Sequence, residues 1–377
     1  MATAAAAATQ GSFLKMQKYK APEWASSLKL VPSHRFSLGL LPTPIHRWQL
    51  PNLPPGTEVW IKRDDLSGMQ LSGNKVRKLE FLLADAVAKQ HDCVITIGGI
   101  QSNHARATAV AAAYLGLPCH LILRNSRSLV DADPGLVGNL LVERLVGATI
   151  HQVSKEEYAS IGATRLGAAL KRQLQQQGLK PYYIPVGGSS ALGCWGYLHA
   201  AAEIAEQEKE LGQTFDVLTS ACGSSGTTAG LALGAKLAGL AAEVRSYAVC
   251  DSPDYFYAEI DGLLQELGYT ETGARQLFTA HNAKGLGYAI SQEEELSTVQ
   301  EVALATGVLL DPVYSGKALH ALLTDMRAAP EQWQGKKVLF VHTGGLLGMY
   351  DKVQQLQPLV EGLGRSHRMD VSAAMSL

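Results

Sequence analysis

Three cations crowd the first turn of a helical pattern in the stretch Leu71-Ser72-Gly73-Asn74-Lys75-Val76-Arg77-Lys78-Leu79-Glu80. Apolar residues recur at Val76, Leu79, Leu82, Leu83, Ala86 and Val87, the spacing of one helical face. Ser72 or Asn74 is placed to cap the start, and Gly73 to allow a tight entry. The helix dipole is positive at that end, so Lys75, Arg77 and Lys78 answer no need of the helix itself. A lysine there, if sheltered from water, has its ammonium form disfavoured and becomes a better nucleophile. Taken alone, a solvated basic face accounts for the cluster as well.

Other stretches give Lys75 company. Cys222-Gly223-Ser224-Ser225-Gly226-Thr227-Thr228 follows a strand and opens a helix, where successive N–H groups converge on an anion. The loop lacks the Walker lysine and the G-x-G-x-x-G spacing, so a single phosphate suits it better than a nucleotide. A tight structural turn is the plainer alternative. Gln101-Ser102-Asn103 occupies a similar strand-to-helix junction, fit for a small carboxylate or for simple N-capping. His104 beside it needs no ligand role. Tyr288 and Tyr314 are candidates for proton transfer or ring stacking, although most tyrosines only pack. Thr343 ends the last strand at Gly344-Gly345. Together these residues point to Lys75 carrying an aldehyde cofactor as a Schiff base.

The elements that must position them read as alternating strands and helices, hence a parallel sheet. Strands are expected at 58–62, 93–97, 119–123, 149–153, 182–185, 216–221, 244–250 and 337–342. Helices are expected from Lys75, up to about Leu115, and at 195–211, 229–238, 293–306 and 315–328. Residues 251–290 read as irregular. In a parallel sheet the carboxyl ends of the strands share one edge, where ligands bind. Ser102, the Gly223 loop and Thr343 should all reach it.

At 377 residues the chain suits two domains or one large α/β unit. A net charge of −1 offers no field for nucleic acid or an anionic membrane. Five scattered cysteines without a C-x-x-C pair argue against a disulfide framework or structural zinc. H-E-x-x-H and G-x-S-x-G motifs are absent, against metalloprotease and serine-hydrolase chemistry. No apolar run is long enough to span a bilayer. The first 35 residues carry one acid, Glu23, against Lys15, Lys18, Lys20, Lys29 and Arg35, and read as a flexible lead or an arginine-poor transit segment. Cytoplasm and mitochondrion are the expected compartments, and secretion is not.

Five motifs in order resemble the fold-type II enzymes that use pyridoxal 5′-phosphate. They are Ser72 to Glu80, Gly98-Gly99-Ile100-Gln101-Ser102-Asn103-His104, Gly223-Ser224-Ser225-Gly226-Thr227, Asp311-Pro312-Val313-Tyr314 and His342-Thr343-Gly344-Gly345. Within that class, from about Leu41 to Val353, the chain is similar to the group of D-cysteine desulfhydrases and 1-aminocyclopropane-1-carboxylate (ACC) deaminases. The lead-in Pro42 to Trp48 lies on the plant-type desulfhydrase side.

The resemblance implies that Lys75 binds the cofactor and later moves protons, that Gly223, Ser224, Ser225, Gly226 and Thr227 hold its phosphate, and that Asn103 meets its ring hydroxyl. It implies that Ser102, with groups of Gln101 and Asn103, receives the substrate carboxylate, that Tyr288 and Tyr314 flank the substrate, and that Thr343 approaches the pyridine nitrogen. ACC deaminases typically carry Glu after the motif tyrosine and Leu before the glycine pair; Ser315 and Thr343 are the desulfhydrase-like choice. Ser225 departs from the glycine common in related loops.

The implied architecture is tryptophan synthase β-like, with two open, twisted, mostly parallel sheets flanked by helices. A small α/β domain at 78–190 is set within a large one built from 36–77 and 191–377, and the protein is a homodimer. The implied reaction is α,β-elimination of D-cysteine. ACC deamination to 2-oxobutyrate is the alternative, and a non-catalytic cofactor-binding protein is the alternative of another class.

Overall fold

The computed structural model describes residues 13–369 and 371. Its strands are β1 (Met16–Lys18), β2 (His34–Phe36), β3 (Ile45–Trp48), β4 (Glu58–Lys62), β5 (Cys93–Gly99) and β6 (Cys119–Asn125). The chain continues with β7 (Thr149–Ser154), β8 (Pro181–Ile184), β9 (Val217–Cys222), β10 (Glu243–Ala248), β11 (Thr279–Asn282) and β12 (Lys337–Val341). They form a six-stranded sheet in the order β11-β10-β9-β12-β4-β3 and a four-stranded sheet in the order β7-β6-β5-β8. All pairs in both are parallel except β3 with β4. A short antiparallel pair, β1 with β2, stands apart.

The strand runs are apolar because helices cover both faces of the sheets. β9 and most of β5 are buried throughout. Helix Ala191–Leu211 lies close against helix Gly226–Ala238, and small residues allow it: a Cβ at Gly230 would strike the Cys194 carbonyl. The small-residue composition of helix 226–238 is therefore a packing requirement.

Two expectations need correction. Residues 251–290 are not uniformly irregular, since helix Pro253–Leu267, helix Ala274–Leu277 and β11 lie within them. The Ser252 hydroxyl accepts the Tyr255 N–H, Pro253 opens the helix, and Gly268 closes it at φ 82°. Phe256, Tyr257, Ile260, Leu263, Leu264 and Leu267 form its buried face. Between and after these elements, residues 268–273 and 283–292 are turns and irregular chain.

The second correction concerns the expected flexible lead at 1–35. Residues 1–12 lie outside the described residues. Residues 13–35 are docked: β1 pairs with β2, Ala25 and Leu28 are buried, and the Lys29 N–H donates to the Leu267 carbonyl at 2.8 Å. The Trp195 indole donates to the Leu30 carbonyl at 2.7 Å. Among the described residues no helix is long and apolar enough to cross a membrane.

Candidate active site

Lys75 opens helix Lys75–Ala88 on a loop that packs against the end of β12. The Asn74 N–H donates to the Thr343 carbonyl at 3.1 Å, and a Cβ at Gly73 (φ 101°) would lie 2.7 Å from that same oxygen. Glycine is required there by both φ and space. Neither Ser72 nor Asn74 caps the helix through its side chain: the Ser72 hydroxyl donates to the Asp65 carbonyl, and Asn74 Nδ2 donates to Thr227 Oγ1 at 2.9 Å. Asn74 thus ties the lysine loop to the glycine–serine loop after β9.

The solvated-face explanation of the basic cluster fails. Arg77 and Lys78 are 1% and 0% exposed. Arg77 donates to both oxygens of Asp64 at 2.8 and 2.9 Å, and Arg77 Nη1 donates to Glu203 at 2.9 Å. Lys62 Nζ also meets Glu203, at 2.6 Å. Burial alone would raise the Glu203 carboxyl; the Arg77 and Lys62 charges overcome it and hold the group at about 2. This network anchors the helix of Lys75 beneath the site.

Lys75 Nζ lies 3.3 Å from Ser224 Oγ and 3.4 Å from the Gly187 carbonyl. Burial pushes its pKa well below 10.5, and the neighbouring Lys78 charge adds to the effect. Lys78 Nζ donates to the same Gly187 carbonyl at 3.2 Å and stands 3.1 Å from where a Cβ of Gly226 would be, at the start of helix Gly226–Ala238. Burial lowers it to about 8. Gly187 (φ 65°) admits this arrangement, since a Cβ there would collide with Ser224 Oγ.

The loop after β9 holds an unusual turn. The Gly226 N–H donates to the Ser224 carbonyl at 2.7 Å, and Ser225 between them has φ 62° and ψ −50°. This is a γ-turn of the strained hand. A non-glycine residue at this φ is costly, and the loop holds it through the Ser189 hydroxyl, which donates to the Ser224 carbonyl. Beyond the loop, a Cβ at Gly223 would lie 2.7 Å from the Tyr314 ring.

Tyr314 and Tyr288 converge with their hydroxyls 3.1 Å apart. Burial first, and the Tyr288 hydroxyl second, raise the Tyr314 pKa well above 10, so its phenol keeps its proton. Asp311 accepts the N–H groups of Val313, Tyr314 and Ser315 at 2.8 to 3.0 Å and fixes this turn. Ser315 Oγ lies 3.5 Å from Thr343 Oγ1 and 3.3 Å from His342 Nδ1. His342 Nδ1 accepts the Gly344 N–H at 3.2 Å, which assigns the ring proton to Nε2, facing the Leu309 carbonyl at 2.9 Å.

A cavity of about 540 Å³ opens between the two large sheets. Lys75, Asn103, Gly223, Ser224, Ser225, Thr227, Tyr288, Tyr314 and Thr343 all line it. The remaining expected residues stand behind its wall. Ser102 Oγ accepts the Ala105 N–H at 3.1 Å as the N-cap of helix Asn103–Tyr114. Gln101 turns to the next segment, accepting from the Asn139 N–H and donating to the Val137 carbonyl. Gly226 sits behind the Ser225 turn, and Ser315 is buried beneath Thr343. Asn103 Oδ1 accepts from Asn139 Nδ2 at 3.0 Å.

Sequence reasoning gave Asn74 only a capping role and Lys78 only a place in the basic cluster, and it singled out neither Gly187 nor Arg124 for the site. It also set aside His104, which lines the cavity with its Nε2 on Thr96 Oγ1 at 2.9 Å and its buried Nδ1 without a partner among the described residues. Burial, with Lys75 and Lys78 nearby, holds that ring well below its ordinary pKa.

A nucleophilic amine beside a helix-opening serine loop, with a hydroxyl-lined far end, fits an aldehyde cofactor carrying a phosphate. The family model of the pyridoxal-phosphate dependent enzymes matches residues 36–344, and the chain belongs to that family. It is 58% identical to the "bifunctional D-cysteine desulfhydrase/1-aminocyclopropane-1-carboxylate deaminase, mitochondrial" of Arabidopsis thaliana, over 97% of this chain and 91% of that protein. It is 39% identical to the D-cysteine desulfhydrase of Serratia proteamaculans, over 78% of this chain and 88% of that one. A solved ACC deaminase homologue superposes with a TM-score of 0.73 at 35% identity, covering 87% of this chain and 96% of its own.

Proposed function

We propose that the protein is a lyase that eliminates sulfide from D-cysteine: D-cysteine and water give pyruvate, hydrogen sulfide and ammonia. The observation that carries the reading is Lys75, a buried amine 3.3 Å from the Ser224 hydroxyl in a cavity shared with Tyr314 and Thr343. The relatives' printed activities support the substrate.

Bound pyridoxal phosphate supplies an electron sink for the bonds at the substrate's α-carbon. Lys75 would hold the cofactor aldehyde and take the α-proton on Nζ, a task its lowered pKa suits. The helix start at Gly226, the Ser224 and Thr227 hydroxyls and Lys78 would hold the phosphate. Asn103, oriented by Asn139, would meet the ring hydroxyl. Thr343, backed by Ser315 and His342, would offer the ring nitrogen a neutral partner. Tyr314, protonated and paired with Tyr288, would stand where a departing sulfur needs a proton. The backbone of the Gln101–Asn103 turn would receive the carboxylate, while the Ser102 hydroxyl keeps the turn capped.

ACC deamination to 2-oxobutyrate is a second activity in this reading, supported by the printed bifunctionality of the Arabidopsis protein. The reading includes a homodimer, a small domain at 78–190 around the β7-β6-β5-β8 sheet, and a mitochondrial rather than cytoplasmic location after the Arabidopsis relative. The test is product formation by the cofactor-loaded protein from D-cysteine, L-cysteine and ACC in parallel. Sulfide and pyruvate from D-cysteine and none from L-cysteine is the expected result. Absence of product from all three would leave a binding protein without turnover and overturn the proposal.

A further inference from the structure

One cation on the cavity wall has no part in the chemistry above. Arg124 lies on β6 in register with Gly99 of β5, and its carbonyl accepts the Ile100 N–H at 3.1 Å. Its half-buried side chain lines the cavity. The guanidinium carbon is 4.8 Å from the Tyr158 ring centroid and 5.2 Å from that of Tyr288, so two aromatic faces bracket it. Tyr158 belongs to helix Lys155–Ile161 beside the four-stranded sheet, and Tyr288 to the loop after β11. The bracket therefore spans the cleft.

Among the described residues this guanidinium forms no salt bridge, although Asp251 and Glu259 line the same cavity. Five N–H donors in a rigid fork are thus held ready without a protein acceptor. Their direction is informative. Arg124 Nε is 3.7 Å from where a Cβ of Gly99 would stand, and the Tyr288 hydroxyl is 3.9 Å from that point. Gly99 begins the turn through Ser102, so the fork, the phenol and the turn meet at one place. Glycine there leaves room for a small group between them.

We propose that Arg124 is a carboxylate-binding, specificity-determining residue of this site, its fork stacked between Tyr158 and Tyr288 and taking one carboxylate beside Gly99. The ligand class is a small amino or oxo acid. The carboxylate is either the α-carboxylate of the substrate or one carried on its sulfur substituent. The proposal rests on the elimination reading for its kinetic arm only, because binding can be measured without turnover.

The experiment compares the cofactor-loaded protein with Arg124→Met and Arg124→Lys. Methionine keeps an unbranched chain between the tyrosines, and lysine keeps the charge without the fork. Cofactor content and thermal unfolding check that each variant is folded. Binding of D-alanine and of pyruvate, neither with a leaving group, is measured by titration calorimetry. KM and kcat are measured for D-cysteine and S-carboxymethyl-D-cysteine.

Loss of a charge-assisted fork should weaken binding about ten- to hundredfold in Arg124→Met, with Arg124→Lys between. Weaker D-alanine and pyruvate binding, with a raised KM for D-cysteine, supports the proposal and identifies the α-carboxylate. A raised KM for S-carboxymethyl-D-cysteine alone supports it and identifies the substituent. Unchanged affinity for every ligand, or a fall confined to kcat, overturns it and reduces Arg124 to a prop for Tyr288. If the unchanged chain binds D-alanine but eliminates nothing, the elimination reading has failed and the calorimetric arm still decides the role of Arg124.

Discussion

Lys78→Met should strengthen the empty protein and weaken its hold on the cofactor. Lys78 is 0% exposed, and among the described residues its one side-chain bond is to the Gly187 carbonyl. Burial lowers it from 10.5 to about 8, a shift equivalent to at most about 3 kcal/mol. The folded value lies below the unfolded one. The penalty is therefore full below pH 8, shrinks as the pH rises, and is gone above 10.5. Methionine removes the penalty and one hydrogen bond, so a net gain of about 1–2 kcal/mol at pH 7 is expected in urea unfolding without cofactor.

Phosphate binding should move the other way. Loss of a charge-assisted bond to a phosphate dianion costs about 1.5–3 kcal/mol, or roughly ten- to hundredfold in Kd. The probe is pyridoxamine 5′-phosphate, which cannot bond to Lys75, titrated between pH 7 and 9.5. The parent protein must take up a proton on Lys78 to bind above pH 8, so its affinity should fall as the pH rises. The variant should lack that component. Equal affinity of the two proteins at pH 7, or parallel pH curves, would refute the placement of Lys78 at the phosphate.

Arg77→Met leaves Asp64 and Glu203 buried without their main cation and should cost about 3–5 kcal/mol, read from the urea midpoint. Tyr314→Phe keeps the ring against Gly223 and removes the phenol; sulfide release from D-cysteine should fall about 10²- to 10⁴-fold while cofactor content stays near that of the parent.

Lys75 stood out in the sequence because three cations at a helix N-terminus contradict local electrostatics. The ends of β5 and β9 were legible to within two residues because their apolar runs give way to glycine at Gly98 and Gly223. What surrounds Lys75 was not. Arg77 is neutralised by Asp64, 13 positions earlier, and by Glu203, 126 positions later, and no local pattern links them. Lys78 and Gly187 meet across 109 positions. Ser102 sits at the expected junction and caps its helix, the plainer of the two alternatives for that turn, whereas the Gln101 side chain serves the 137–139 segment, which no local pattern reveals. The helix at 253–267 was different. Its Ser-Pro-Asp start, apolar face and closing glycine were all present in the sequence. Arg124 had no such signal, because its meaning comes from two tyrosines on either side of a cleft.

The most direct test of the account is the identity of the lysine that bonds to the cofactor. The cofactor-loaded protein is reduced with borohydride, digested and mapped by mass spectrometry. The account predicts a single pyridoxyl-modified lysine at Lys75, and no such adduct in Lys75→Ala. Modification at Lys78, which reaches the same Gly187 carbonyl, or no modified lysine at all, would contradict it.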